Sequence, residues 1–387
     1  MTVLAALSVL ALLIWLSIAL ARGFFWTIGG DKLLPTERCG EIRRVAVVIP
    51  ARNEAGSIAE TIESLLKQQL SGPLHVFLVD DDSSDGTSDV ARSTAARLSA
   101  SDRLDVLRSS SLPHGWTGKL WAVSQGIAEA TRWQPDFLLL TDADISHAPD
   151  NVSRLIAVAE RDSYDLTSLM VKLRCSSVAE RLLIPAFVYF FLLLYPPAWI
   201  QNRRRKAAGA AGGCMLVRPA ALEQMGGIES IGGEIIDDCA LARGVKRSGG
   251  TVWLGLTPST ISHRAYESFA EIERMISRTA FNQLQHSALL LAGTVLGLIC
   301  TYLLPLGLFI GGALGGHQLR VMVLGGAAWL LMTITYLPMV RFYGLNQAWA
   351  LTLPLAAVFY MGATVHSAWK HWTGRGGEWK GRAQDRR

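Results

Sequence analysis

Charge is scarce in this chain. Asp, Glu, Lys and Arg make up 18% of its 387 residues, below the roughly 25% of a soluble globular domain. Cysteine is scarce as well. The five that occur, Cys39, Cys175, Cys214, Cys239 and Cys300, are odd in number and far apart. That spacing argues against a disulfide framework or a zinc cage, and for small buried side chains in a reducing compartment. No internal repeat is visible. The net charge of +5 comes without any stripe of basic residues alternating with aromatics, which argues against nucleic acid as a partner. The basic residues gather instead beside apolar runs, a placement that suits anionic lipid headgroups.

What the chain has in quantity is apolar sequence, half of all residues, and it is unevenly spread. Its length allows one large domain plus a membrane portion. Residues 3–20 form a nearly unbroken apolar run of about the length needed to cross a bilayer. The start carries no charge, unlike a cleaved signal peptide, and Arg22, Lys32, Arg38, Arg43 and Arg44 follow. We expect an uncleaved anchor over 1–22 with its C-terminal side in the cytoplasm. Spanning lengths return at 288–314, 319–340 and 348–369, within a C-terminal membrane region 286–370. A basic tail, 371–387, holds Arg375, Lys380, Arg382, Arg386 and Arg387 just after Lys370. A cytoplasmic domain followed by three crossings puts that tail outside, whereas the positive-inside rule puts it inside. Either one segment is re-entrant or the tail breaks the rule.

Between these parts, residues 43–285 read as a soluble α/β domain. Buried-strand runs lie at 45–49, 76–79 and 137–140, and 59–70 has helical spacing. Strands alternating with helices predict a mostly parallel sheet. The segment 182–200 is apolar but contains Pro185, Pro196 and Pro197. A crossing there would separate the motifs on either side of it, so we read an element lying in the membrane interface. The run Arg203-Arg204-Arg205-Lys206 follows. It is either a solvated loop or a clamp on anionic headgroups, worth about 1 kcal/mol per charge.

Three acidic clusters carry the chemistry. Asp80-Asp81-Asp82 and Asp85 follow the second strand, where an open α/β sheet binds its ligands. Asp80 and Asp81 suit hydrogen bonds from a base or ribose, while Asp82 to Asp85 suit a turn and a helix cap. Asp142-Ala143-Asp144 follows the third apolar run. Two carboxylates so placed can grip a hard divalent cation, which usually takes one or two carboxylates plus phosphate oxygens; an acidic turn is the alternative. Asp237-Asp238 opens an apparent helix. A carboxylate there can take the proton of an attacking hydroxyl, or Asp237 can cap the helix.

In this order the clusters resemble the family 2 glycosyltransferases of GT-A fold, over roughly residues 45–278. The stretch Val47-Val48-Ile49-Pro50-Ala51-Arg52-Asn53-Glu54 resembles that family's first strand and nucleotide loop, and the resemblance implies nucleotide contacts at Pro50, Ala51, Asn53 and Glu54. It implies uracil or ribose contacts at Asp80 and Asp81 and a Mg²⁺ or Mn²⁺ ion at Asp142 and Asp144, with Asp142 also near the nucleotide. Asp237 and Asp238 match the Glu-Asp motif, with Asp238 as base. Gly115-Trp116-Thr117-Gly118-Lys119 and the stretch from Gly212 to Arg218, with the membrane layout, resemble the ceramide glucosyltransferase-like enzymes, and most closely the bacterial hopene-associated glycosyltransferases. Lys119 then reaches the diphosphate or is a solvated lysine in a Gly-rich loop. Where many members carry Gln-x-x-Arg-Trp, this chain has Met275-Ile276-Ser277-Arg278-Thr279. Arg278, and Arg274 one turn before it, are candidate diphosphate or acceptor partners, or exposed helix surface. The missing Trp argues against polymer synthesis. His263 is a candidate third metal ligand or a hydrogen-bonded loop residue. The resemblance implies inverting transfer of one sugar from a nucleotide-sugar donor, a UDP-sugar, to a lipid such as a hopanoid at the cytoplasmic face of the inner membrane. The alternatives are a processive polysaccharide synthase and a non-catalytic transporter or scaffold.

Overall fold

A computed structural model describes residues 3–315 and 318–374 in full, and residues 378–379 and 382–383 by their backbone. Arg375, Lys380, Arg386 and Arg387 of the expected basic tail lie outside the described residues, and Arg382 is described by backbone only. The chain forms two compact units. One holds residues 1–28, 175–198 and 266–376, the other 29–174, 199–265 and 377–387. Residues 182–198 and 266–285 fall in the unit that holds the apolar helices.

The second unit is built on a sheet of β1 (Val45–Ala51), β2 (Leu74–Asp80), β3 (Leu104–Arg108), β4 (Phe137–Thr141), β5 (Ile145–Ser146), β6 (Leu166–Lys172), β7 (Cys214–Val217) and β8 (Val252–Ser262). Their order is β3-β2-β1-β4-β7-β6-β8-β5. β3, β2, β1 and β4 run parallel, β7 is antiparallel to both β4 and β6, and β8 runs parallel to β6. The sheet is mixed and mostly parallel, as the alternation of elements predicts. Every residue of β1 and β4 is buried, as strands covered on both faces require. Helices Ile58–Leu66, Thr87–Arg97, Gly118–Arg132 and Asn151–Arg161 connect the strands. Gly126 lets Gly118–Arg132 lie close on the sheet: a Cβ there would sit 3.0 Å from the Val79 side chain and collide with Val48.

The helix expected over 59–70 stops at Leu66. Tertiary partners take over beyond it. The Gln68 amide donates to the Ala148 carbonyl (2.8 Å) and accepts from the Val152 N–H (3.0 Å), and the Gln69 N–H goes to the Pro149 carbonyl (2.6 Å). Local helical spacing loses here to hydrogen bonds made across the fold.

The register aligns the acidic motifs. Ala51 pairs with Asp80, and Val48 with Leu140. The carboxyl ends of β1, β2 and β4 therefore share one edge, where open α/β sheets bind ligands. Because β7 is antiparallel to β4, with Cys214 opposite Thr141, its start at Gly212-Gly213 returns to that edge. β5 pairs with the end of β8, Ile145 opposite Ser262, and so brings the approach to His263 there too.

Among the described residues, five helices are long and apolar enough to cross a membrane, nearly all of their length in the other unit: Val3–Ala21, Val178–Ile200, Ala288–Leu314, Leu319–Phe342 and Gln347–Trp372. Their large apolar side chains are exposed at many positions, Leu289, Leu314 and Leu319 among them, as lipid-facing helices require. The start of Val178–Leu194 is set by a capping box, Ser177-x-x-Glu180, a signal that lies just ahead of the apolar stretch 182–200. Buried Glu180 accepts from the N–H groups of Ser176 (2.7 Å), Ser177 (2.9 Å) and Tyr266 (2.8 Å), which offsets the cost of burying a carboxylate.

Candidate functional site

The sheet edge carries a bridge of charge. Lys119 sits in the first turn of Gly118–Arg132, just after Thr117, whose hydroxyl accepts from the Leu120 N–H (3.3 Å) and starts the helix. Its ammonium lies 2.9 Å from Asp142 Oδ1 and 3.0 Å from Asp237 Oδ2. Two of the acidic motifs are thus joined through one lysine. Apolar side chains such as Leu120, Leu140, Met215 and Leu241 line a small cavity with these three residues, and a low-dielectric lining strengthens each contact. Burial acts to lower the Lys119 pKa, but Asp142 and Asp237 outweigh it and hold the ammonium above its ordinary value. Lys119 is therefore not a solvated loop residue.

Asp237 opens the helix Asp237–Arg247, but no side-chain cap bond forms at its start. The Asp237 carboxylate is turned to Lys119 instead. Asp238 accepts from the Gly212 N–H at Oδ2 (2.9 Å) and from its neighbour Cys239 N–H at Oδ1 (2.6 Å). A Cβ on Gly212 would stand 3.4 Å from Asp238 Oδ2 and 3.6 Å from Lys119 Nζ, so the glycine lets the backbone approach both. Burial first, and then the neighbouring Asp237 charge, push the Asp238 carboxyl up to about 6; Lys119 and the two N–H bonds pull the other way.

Asp144 is buried at the turn between β4 and β5. It accepts from the Ser262 hydroxyl (3.1 Å), and its carbonyl accepts from the His263 N–H (2.8 Å). Burial, then Asp142, then Glu54 raise its carboxyl to about 6. The convergence of Asp142, Asp144 and Glu54 is the kind of like-charge cluster that a bound divalent cation relieves. Among the described residues no group of three or more His, Cys, Asp and Glu is arranged to hold a metal, and the His263 side chain is exposed. The structure brings the His263 backbone beside Asp144 without assembling its imidazole with Asp142 and Asp144. A two-carboxylate donor set completed by phosphate oxygens still fits Mg²⁺ or Mn²⁺ chemistry.

The nucleotide loop is braced internally. Asn53 adopts a left-handed backbone (φ 52°), which Asn tolerates better than most residues. Its N–H goes to Ser83 Oγ (3.0 Å) and its side-chain carbonyl accepts from the Ser84 N–H (2.9 Å). Asp80 is engaged by the Ser83 N–H (2.9 Å) and the Ser88 hydroxyl. Asp81 is buried and pairs with Arg52 at 3.6 Å, a partner to which no sequence motif assigns a role. Asp85 accepts from the N–H groups of Ala55 (2.9 Å) and Thr87 (3.1 Å), the turn geometry expected for it. Pro50 lines the Lys119 cavity, and the Ala51 carbonyl accepts from the Asp81 N–H (2.8 Å).

Arg274 and Arg278 belong to the unit of apolar helices. Arg274 lies in Phe269–Ser277, 4.0 Å from Glu271, and Arg278 is that helix's C-cap; both are exposed. The basic run is tied down at two points: Arg203 donates to the Asp162 carbonyl (2.7 Å), and the Arg205 guanidinium stacks 4.7 Å over Trp199. None of the five cysteines forms a disulfide; Cys214 and Cys239 are buried and the others half-buried.

Residues 46–226 match the model of glycosyl transferase family 2. Over those residues the chain carries a domain that matches this family, and its mixed, mostly parallel sheet has the GT-A fold. The undecaprenyl-phosphate 4-deoxy-4-formamido-L-arabinose transferase of Serratia proteamaculans is 32% identical over 131 residues, 33% of this chain and 37% of that protein. The protein of the same name in Proteus mirabilis is 30% identical over 128 residues, 33% of this chain and 36% of its own. The chain thus spans little more than a third of the length of these relatives. Among solved structures, a mannosyltransferase from Pyrobaculum calidifontis in complex with GDP-Man and Mn²⁺ aligns with a TM-score of 0.54 and 17% identity, over 95% of this chain and 99% of that one. That likeness shows the fold.

Proposed function

We propose that this protein is a membrane-bound, inverting glycosyltransferase that moves a single sugar from a nucleotide-sugar, a UDP-sugar, to a lipid acceptor. The observation that carries this reading is the meeting of Asp142, Lys119, Asp237 and the Gly212-held Asp238 at the carboxyl edge of the sheet. The nucleotide lies along Pro50 to Glu54 with Asp80 and Asp81 at the carboxyl end of β2. A divalent cation on Asp142 and Asp144 would supply positive charge against the leaving diphosphate. Lys119 is placed to orient the diphosphate, and Arg274 and Arg278 are further candidates for diphosphate or acceptor. Asp238 accepts the proton of the acceptor hydroxyl as its oxygen bonds to the anomeric carbon and the bond to the diphosphate breaks on the opposite face.

A hopanoid or another lipid alcohol is the acceptor this chemistry favours, since a base is needed only where a hydroxyl must lose its proton. The names of the relatives point to a second reading, a polyprenyl phosphate acceptor, which is already an anion. The experiment is transfer by the full-length protein with a panel of nucleotide-sugars, Mg²⁺ or Mn²⁺ and membrane lipid extract, with products read by mass spectrometry. A lipid carrying one sugar is expected. A polymer ladder, or no product with any donor, would overturn the proposal.

Asp238 as base also predicts a pH dependence. Its carboxyl is held up near 6 by burial and Asp237, and only the anion accepts a proton. Transfer to a hydroxyl acceptor should hold above about pH 6 and fall tenfold per unit below it, measured as kcat at saturating donor.

We place the enzyme in the inner membrane with its sheet unit in the cytoplasm, where nucleotide-sugars are made. β6 and β7 pair within one sheet, Leu166 opposite Val217. Both ends of 173–213 must then lie on one side of the membrane, which a single crossing by Val178–Ile200 would prevent. This supports an interfacial segment at 182–200 and favours a headgroup clamp at 203–206.

A further inference from the structure

We infer that His147 is a positioning residue: a buried neutral imidazole that ties the Asp142–Asp144 turn to the glycine pair whose backbone holds Asp238. The inference rests on the proposed transfer reaction and adds a residue to it that no motif marks.

His147 is almost fully buried, 4% exposed, and the mechanism so far gives it no task. Its partners form a chain whose shortest contacts fix the direction of each bond. The Thr141 hydroxyl donates to the Gly213 carbonyl (2.8 Å). Its single proton is thereby used, so in the contact with His147 Nε2 (3.0 Å) the threonine oxygen accepts and the imidazole donates. Nε2 then carries the proton and Nδ1 is the acceptor. Facing Nδ1 at 3.1 Å is the Asn151 side-chain amide, which donates. The Asn151 carbonyl oxygen in turn accepts from the Thr260 hydroxyl (2.9 Å). A second proton on Nδ1 would meet the Asn151 donor, so both the network and burial, which pushes the His147 pKa down to about 3, keep the ring neutral.

The chain has a direction as well as a tautomer. It begins at Thr260 on β8, passes through the helix Asn151–Arg161, and ends on β4 and the Gly213 carbonyl. Thr141 directly precedes Asp142, and Gly213 follows Gly212, the donor to Asp238. One imidazole thus sets the spacing between the metal-motif strand and the base. Groups that must hold position to fractions of an ångström are commonly held by such a supporting layer.

Three variants test this. His147→Phe fills the ring's volume but neither donates nor accepts, and Thr141→Val removes the hydroxyl at nearly constant shape. His147→Gln restores a donor for Thr141 and an acceptor for Asn151. The charged and polar groups facing Asp238 are Asp237, Lys119 and the N–H groups of Gly212 and Cys239. If the Gly212 N–H is loosened, the Asp238 anion loses a donor and its pKa rises. His147→Phe and Thr141→Val should lower kcat about 10- to 100-fold with little change in donor KM. They should also move the acid limb of the pH profile upward, and His147→Gln should recover most of both. A merely structural histidine would lower the melting temperature and leave the limb where it is. If His147→Phe does not fold, Thr141→Val carries the test. Wild-type transfer with an unmoved limb and unchanged kcat in Thr141→Val overturns the inference alone. Absence of wild-type transfer overturns the function on which it rests.

Discussion

Asp238→Asn is expected to fold, bind donor as the wild type does, and lose transfer to a hydroxyl acceptor by about 10²- to 10⁴-fold, the usual contribution of a general base. The amide keeps one oxygen for the Gly212 N–H and gives up only the bond to the neighbouring Cys239 N–H, so the tie to Gly212 survives. It cannot take a proton. Donor binding by calorimetry and single-turnover transfer would be measured together. The result also reads the acceptor. If transfer to a lipid alcohol collapses while transfer to a lipid phosphate persists, the base reading stands and both acceptors fit the site. If transfer to the alcohol persists at wild-type rate, Asp238 is not the base.

The second large effect is expected for Lys119→Met. The lysine sits between Asp142 and Asp237 at 2.9 and 3.0 Å. Removing it leaves two carboxylates over an apolar cavity with no cation between them. The loss of a charge-assisted pair should cost about 2 kcal/mol of stability, discounted because Asp142 is partly exposed, and transfer should fall at least as steeply as for the loss of an oxyanion-type donor, roughly 10²-fold. Thermal melts with and without Mn²⁺ separate the two effects. Because carboxylates left without the ammonium gain more from a cation, Mn²⁺ should raise the melting temperature of the variant more than that of the wild type. Equal shifts would mean that Lys119 and the metal do not act on the same carboxylates.

The apolar runs, the strand–helix alternation and the acidic clusters after strands were legible because each is local: a stretch of about 20 apolar residues, or a carboxylate directly after a buried strand, is compatible with few structures. Helix ends were less so. The residues 67–70 keep helical spacing, but Gln68 and Gln69 bond to Ala148, Pro149 and Val152, far along the chain. β7 is a run of only four apolar residues and that of β8 is broken by Gly255 and Pro258, and pairing with β4 and β6 fixes both as strands.

The same division runs through the site. Sequence alone determined which residue types stand at the sheet edge: Glu54, Asp80, Asp81, Asp142, Asp144, Asp237 and Asp238, with Lys119 in a Gly-rich loop and apolar helices at both ends of the chain. Tertiary structure decided what those groups do to one another. It turned Asp237 from a helix cap into a partner of Lys119, spent part of Asp80 on its own loop, paired Asp81 with Arg52, left His263 exposed, and closed the His147 chain between β4, β8 and Gly213. The physical reason is one of range. Hydrophobic period and turn chemistry act over a few residues, whereas a carboxylate's charge state and partners depend on burial and on groups far along the chain, which meet only when the strands align.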